Sequence, residues 1–162
     1  IRGYKTLGTS NDVFEVIFEN SRLDELQAAF LRTKLLKLDD WNEERRKIAK
    51  RYLEGIKHPE IILPYVLPET EPVWHIFGVR CSRRDELAAY LGDKGIFTNK
   101  HYPIPIHLQE CYKDLNISEG ELPVAEEISA TQLSLPLYYG MTEEEIQYVI
   151  DCVNEYERKD NQ

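Results

Sequence analysis

Positive charge is what this sequence has least of. Its 162 residues carry 29 Asp and Glu against 20 Lys and Arg, a net charge of −9. That balance speaks against a nucleic-acid partner, which needs clustered Lys and Arg to neutralise phosphates. Much of the acidic excess sits at Glu143, Glu144, Glu145, Asp151, Glu155 and Glu157, and reads as the solvated face of a C-terminal helix. Cysteine is scarce as well. Cys81, Cys111 and Cys152 are odd in number and form no C-x-x-C pair. They argue against a disulfide framework or a zinc site and for a reducing, cytoplasmic setting. No apolar stretch approaches the length of a membrane span and there is no signal-peptide pattern, so no membrane partner is expected. Methionine occurs once, at Met141, and the sequence opens on Ile1 within what reads as ordered chain. The expectation is a piece of something longer. Also missing are a Walker loop, a G-x-G-x-x-G turn, a G-x-S-x-G elbow, internal repeats and low-complexity tracts.

What is present is a chain 42% hydrophobic and long enough for one globular domain with its own core. The order reads helix, strand, helix, strand, helices, strand, helix. This predicts the α/β class: a small sheet of about three to four strands packed against helices, led by one long N-terminal helix. That helix is expected from about Ser21 to Glu54, with a bend near Asp39-Asp40 and a stop at Gly55. Leu23, Leu26, Phe30, Leu31 and Leu35 recur at helical spacing, and Leu26 and Phe30 are expected in the core. Ahead of it, Val13 to Phe18 reads as a short strand or a docking arm. Prolines leave Ile61 to Leu63 as a short edge strand. Val73 to Cys81 is the clearest strand, apolar on both faces, with His75 as a hydrogen-bonded structural residue within it. Ser82 and Asp85 look like a capping box for a helix carrying Leu87 and Leu91 and closed by Gly95. Ile96 to Tyr102 and Leu133 to Leu137 read as two further strands, the latter marked as an edge by Pro136. A short helix is expected over His107 to Leu115. Pro123 opens another, with Val124 and Ile128 inward. Thr142 and Glu145 form the best capping box, followed by an apolar stripe at Ile146, Val149, Ile150, Val153 and Tyr156.

Few residues carry chemistry. Asn20, Ser21 and Arg22 sit at the expected start of the long helix. Asn20 or Ser21 can cap it, and Ser21 and Asp24 have capping-box spacing. Free N–H groups and the dipole there also suit an anion, so an ordinary cap with a solvated Arg and an anion site both stand. His58 precedes a proline and is expected to face solvent. His101 and His107 flank a loop stiffened by Pro103 and Pro105, without Cys or carboxylate partners at metal-ligand spacing.

Asn20-Ser21-Arg22-Leu23-Asp24-Glu25-Leu26-Gln27-Ala28-Ala29-Phe30-Leu31 resembles the hallmark stretch of the PLP-dependent sugar-nucleotide aminotransferases of the DegT/StrS type. Trp41 to Ala49, Val73 to Phe77, His101 to Gln109, and Leu133 to Leu137 ahead of Met141 to Glu145 fit the same family in order and spacing. Glu19 departs from it, standing where the family often has an aromatic. The resemblance implies the C-terminal small domain of a fold type I PLP enzyme over residues 20–162, with residues 1–19 leading out of a PLP-binding domain that would precede Ile1. It implies pyridoxal 5'-phosphate as cofactor in the parent, with Asn20 and Ser21 at its phosphate and Asn20 reaching across a homodimer. It implies a nucleotide-sugar substrate, with Arg22, His101, Tyr102 and His107 as candidate contacts, and glutamate as amino donor. The form of residues 103–109 leans toward a dTDP-linked 3-keto-6-deoxyhexose. The context of Lys5 does not match the family's Schiff-base lysine, so no catalytic residue is assigned here and the chain alone is expected to be inactive. The alternative is a non-catalytic regulatory or binding member of the same fold, or a sugar dehydratase.

Overall fold

Pro136 and Trp74 decide how much of this chain becomes sheet. In the computed structural model, which describes residues 9–10, 13–14 and 23–157, the chain divides into two compact units, Ile1–Asp39 and Asp40–Gln162. Strands β3 (Phe77–Arg80) and β4 (Gln132–Leu135) pair antiparallel in the second unit, with Phe77 opposite Leu135 and Arg80 opposite Gln132. β4 stops at Leu135 because Pro136 has no N–H to give the ladder. β3 cannot begin at Val73 because Trp74 is left-handed, with φ of 48°. Val73 and His75 accordingly lie outside the strand and exposed, so His75 is not a mid-strand residue. Single antiparallel bridges continue the sheet on each side, Ile62 with Arg80 and Asn99 with Ser134. The order is thus the 62 segment, β3, β4, the 99 segment. The expected edge strand near Ile62 and the expected strand over 96–102 each contribute one bridge rather than a ladder.

Helices cover this sheet. α2 (Leu38–Gly55) buries Ile48, Ala49 and Tyr52, and α3 (Arg84–Asp93) buries Leu87 and Leu91. α5 (Glu143–Asn154) buries Ile146, Val149, Ile150, Cys152 and Val153. Phe77, Val79, Leu133 and Leu135 supply the strand side of the same core. The Tyr52 hydroxyl donates to the Pro136 carbonyl at 2.8 Å, and its ring meets Phe77 edge-on. Burial pushes the Tyr52 phenol well up from its ordinary range. Gly55 ends α2 against Ile150, where an added Cβ would come within 2.8 Å of the isoleucine Cδ1. Thr142 and Glu145 make the expected capping box on α5. Gly95 follows α3 at φ 78°.

Four local expectations change. Ser82 does not cap α3, whose N-cap is Arg83 with no side-chain bond. α4 (Pro123–Thr131) starts at its proline as expected, but Val124 and Ile128 are exposed and the helix buries nothing. The 107–115 helix is instead two 3₁₀ turns, Ile106–Leu108 and Glu110–Leu115. His58 does not simply face solvent, because its Nε2 lies 2.6 Å from the Tyr156 carbonyl.

In the first unit, β1 (Thr9–Ser10) and β2 (Val13–Phe14) form a small antiparallel pair. α1 spans Glu25–Leu35. The long helix is therefore two, broken at Leu36-Lys37, three residues before the expected bend. Asp24 is the N-cap, accepting from the N–H groups of Leu26 at 2.9 Å and Gln27 at 3.4 Å. The capping box expected at Ser21 and Asp24 gives way to Asp24 alone, while Asn20, Ser21, Arg22 and Val16 to Glu19 lie outside the described residues. Leu26 and Phe30 are each 71% exposed, against the expectation that they are core.

Candidate functional site

A polar network at the open side of β4 organises the loop that carries His101 and Tyr102. Gln132 and Ser134, two residues apart, project from one strand among apolar Leu133 and Leu135. Ser134 is buried and exchanges both main-chain bonds with Asn99, at 2.7 and 3.2 Å. The His101 N–H donates to Gln132 Oε1 at 2.9 Å. Gln132 Nε2 donates to Ser134 Oγ at 2.7 Å, and His101 Nδ1 lies 2.8 Å from that hydroxyl. His101 Nε2 lies 3.0 Å from Asn99 Nδ2. The next residue, Tyr102, is 71% exposed, its ring standing edge-on to the His101 ring at 5.5 Å.

A second tie comes from α3. Lys100 Nζ pairs with Asp85 Oδ1 at 2.6 Å. Hydrogen bonds from Arg84 and then Lys100 hold the Asp85 carboxyl down to about 2. His107 belongs to a separate network. It is buried, and its Nε2–H donates to Glu126 Oε1 at 3.1 Å. Glu126 also accepts from the N–H groups of Gly120 and Leu122. Partial burial works to raise the Glu126 carboxyl, but the bonds from Gly120, His107 and Leu122 outweigh it and the net direction is down. The structure thus ties His101 to β4 and His107 to the start of α4.

The sequence names His101, Tyr102 and His107 as candidates but not Asn99, Gln132 and Ser134, which hold the His101 loop. The available signal was Gln132 and Ser134 at strand spacing within an apolar run, where a buried polar side chain needs a partner.

A PLP seat requires a lysine, an acid for the ring nitrogen and donors for a phosphate. Among the described residues these do not converge. Lys47 opens on a cleft of about 470 Å³ with Asp40, Glu43, Glu44 and Glu143, and four carboxylates repel a phosphate. Lys50, Lys100 and Lys113 are paired with carboxylates. Among the described residues no group of three or more His, Cys, Asp or Glu side chains could hold a metal ion, and no helix is long and apolar enough to cross a membrane.

Compared with known proteins, the chain is 46% identical over 144 residues to dTDP-3-amino-3,4,6-trideoxy-alpha-D-glucose transaminase of Streptomyces venezuelae, covering 88% of this chain and 38% of that one. It is 41% identical over 146 residues to the pleiotropic regulatory protein of Geobacillus stearothermophilus, covering 88% and 39%. The crystal structure of S. venezuelae DesV in complex with a ketimine intermediate superposes with a TM-score of 0.85 at 44% identity, covering 95% of this chain and 42% of that one. The chain spans about two fifths of the length of these relatives. The model of the DegT/DnrJ/EryC1/StrS aminotransferase family matches residues 2–154. The chain belongs to that family.

Proposed function

We propose that this chain supplies the C-terminal part of a PLP-dependent aminotransferase that moves an amino group, from glutamate, onto a keto-sugar nucleotide, with a dTDP-linked 3-keto-6-deoxyhexose as the favoured substrate. The observation that carries the reading is the His101-Tyr102 loop. It is tied down on its main chain and its histidine ring, and it leaves the tyrosine exposed. Such a loop presents a donor and an aromatic face without a fixed charge, which suits a nucleotide-sugar diphosphate. Family membership supports the cofactor, and the activity for which the Streptomyces relative is named supports the sugar class.

In this proposal PLP, bound in the parent, supplies the electron sink for amino transfer. Asn20 and Ser21 would hold its phosphate, Asn20 from the partner subunit of a homodimer, and Arg22 would face the substrate. His101 and Tyr102 position the nucleotide sugar, and His107 supports the same loop through its pair with Glu126. The Schiff-base lysine lies outside this chain, and the chain alone is expected to lack transaminase activity. A PLP adduct fixed by borohydride onto one of its own lysines would overturn that assignment. The decisive assay supplies the intact protein with PLP, glutamate and a dTDP-3-keto-6-deoxyhexose and looks for the dTDP-amino sugar by mass. In the intact protein, Asn20→Ala should weaken PLP retention about tenfold or more, since a hydrogen bond to a charged oxygen is lost.

A second reading keeps the fold and the ligand loop but not the transfer: a regulatory or binding member, or a sugar dehydratase. The likeness to the Geobacillus pleiotropic regulatory protein favours keeping it. Binding of the nucleotide sugar without amino-sugar product would select it.

A further inference from the structure

The network around His101 has a direction at every bond. The Lys100 N–H donates to Asn99 Oδ1 at 2.8 Å, so the Asn99 Nδ2 group must face His101. An amide NH₂ only donates, so His101 Nε2 accepts. The ring proton is then on Nδ1 and donates to Ser134 Oγ. The His101 N–H fixes Gln132 Oε1 in the same way, which turns Gln132 Nε2 toward the same hydroxyl. Ser134 Oγ therefore receives two donors, and both ring nitrogens of His101 are used within the chain. The Gln132 amide lies against a glycine. A Cβ at Gly78 would come within 2.9 Å of Gln132 Nε2.

We infer that Gln132, with Ser134 and Asn99, is a positioning element for substrate. It holds His101 as the Nδ1–H tautomer and clamps its main chain, so that Tyr102 and not the His101 ring is the group presented to the nucleotide diphosphate. This rests on the reading of the loop as a nucleotide-sugar contact. A histidine with both nitrogens engaged has no site left to bind a phosphate oxygen. The tyrosine, exposed and one residue along, has both an O–H and a ring face free of the network. Gln132 acts through Tyr102 and touches no ligand itself. Gln132→Glu keeps the acceptor for the His101 N–H, and the unused Ser134 proton can turn to the new carboxylate. Gln132→Leu removes both bonds at nearly constant size. Gly78→Ala crowds the amide from behind.

The test measures dTDP and, separately, UDP affinity by calorimetry on the intact protein, with a double-mutant cycle. Tyr102→Ala should weaken binding about tenfold and Gln132→Leu about three- to tenfold, as expected for one or two hydrogen bonds. Gln132→Leu should cost nothing further in the Tyr102→Ala background, Gln132→Glu should restore affinity, and Gly78→Ala should weaken it. A purely structural role would add in the cycle. In 15N-histidine-labelled protein at about pH 8, His101 should show a protonated Nδ1 and a bare Nε2. If Tyr102→Ala weakens binding and Gln132→Leu does not, or if the effects add, the loop reading stands and the positioning role falls. If Tyr102→Ala leaves both affinities unchanged, the loop reading falls and takes the positioning role with it. An Nε2–H tautomer overturns the inference by itself.

Discussion

α1 and α5 are nearly equal in length and both are studded with leucine, isoleucine, valine or phenylalanine, yet α5 buries five residues and α1 buries none. The difference lies in how the apolar positions wind around each axis. Ile146, Val149, Ile150 and Val153 fall on one side of α5. In α1, Leu26 and Phe30 share one side, but Leu31 and Leu35 lie about 140° and 180° around from Leu26 at 3.6 residues per turn. A helix apolar on two sides is suited to lie between layers rather than on top of one. Spacing of three and four therefore announces a helix, but only its phase announces a single buried face.

The largest test of this contrast is truncation on each helix. Ile150→Ala should lower the stability of this chain by about 2–5 kcal/mol, because it opens a cavity in a dry core. Phe30→Ala should change it by no more than about 0.5 kcal/mol, as for an exposed site. Urea unfolding of the two variants decides, and a loss above about 2 kcal/mol for Phe30→Ala would show that α1 is covered. The caps come next. Thr142→Ala removes the side-chain arm of the α5 capping box, the bond from the Glu145 N–H, while its own N–H can still reach Glu145 Oε2, and should lower stability by about 0.5–2 kcal/mol. Asp24→Ala removes two bonds of the same kind, but α1 is not part of a buried core. It should reduce helical circular dichroism while leaving the midpoint of the main transition where it was.

The smallest effect is electrostatic. Asp85 at the start of α3 has a folded value below its unfolded one. Its contribution to stability is therefore complete above the ordinary aspartate range near 4. It is lost as pH falls from there toward about 2. The Asp85 carboxylate is exposed and its pairs are screened, so the change in stability is slight. The clearer readout is the titration itself by NMR: Lys100→Ala should move the Asp85 carboxyl upward, and an unmoved curve would assign the whole depression to Arg84.

Much of the second unit was legible from the sequence. The stripe of α5, its Thr142 box, the stop at Gly55 and the pair of central strands all follow from local rules that the folded chain obeys. Strand lengths were not legible, because a left-handed Trp74 is a tertiary outcome; its ring packs on Phe77 and no propensity foretells it. The cap at Asp24 was hidden by equally good candidates just upstream, Asn20 and Ser21. At the candidate site half-buried His101 and exposed Tyr102 could be named from their loop. The residues that hold it could not, since Gln132 and Ser134 reach Asn99 and His101 only through a pairing of segments some 30 residues apart.

The single bridges at Ile62 and Asn99 have a bearing on self-association. A sheet edge with a long run of unsatisfied main-chain groups invites another chain to add itself as a strand. Here each outer segment matches its neighbour at one residue pair, and Pro59 and Pro64 on one side and Pro103 and Pro105 on the other interrupt the donors on either flank. A second molecule would find no repeating template to copy. The core sheet, although only two strands wide, is closed to fibril-like growth at both borders.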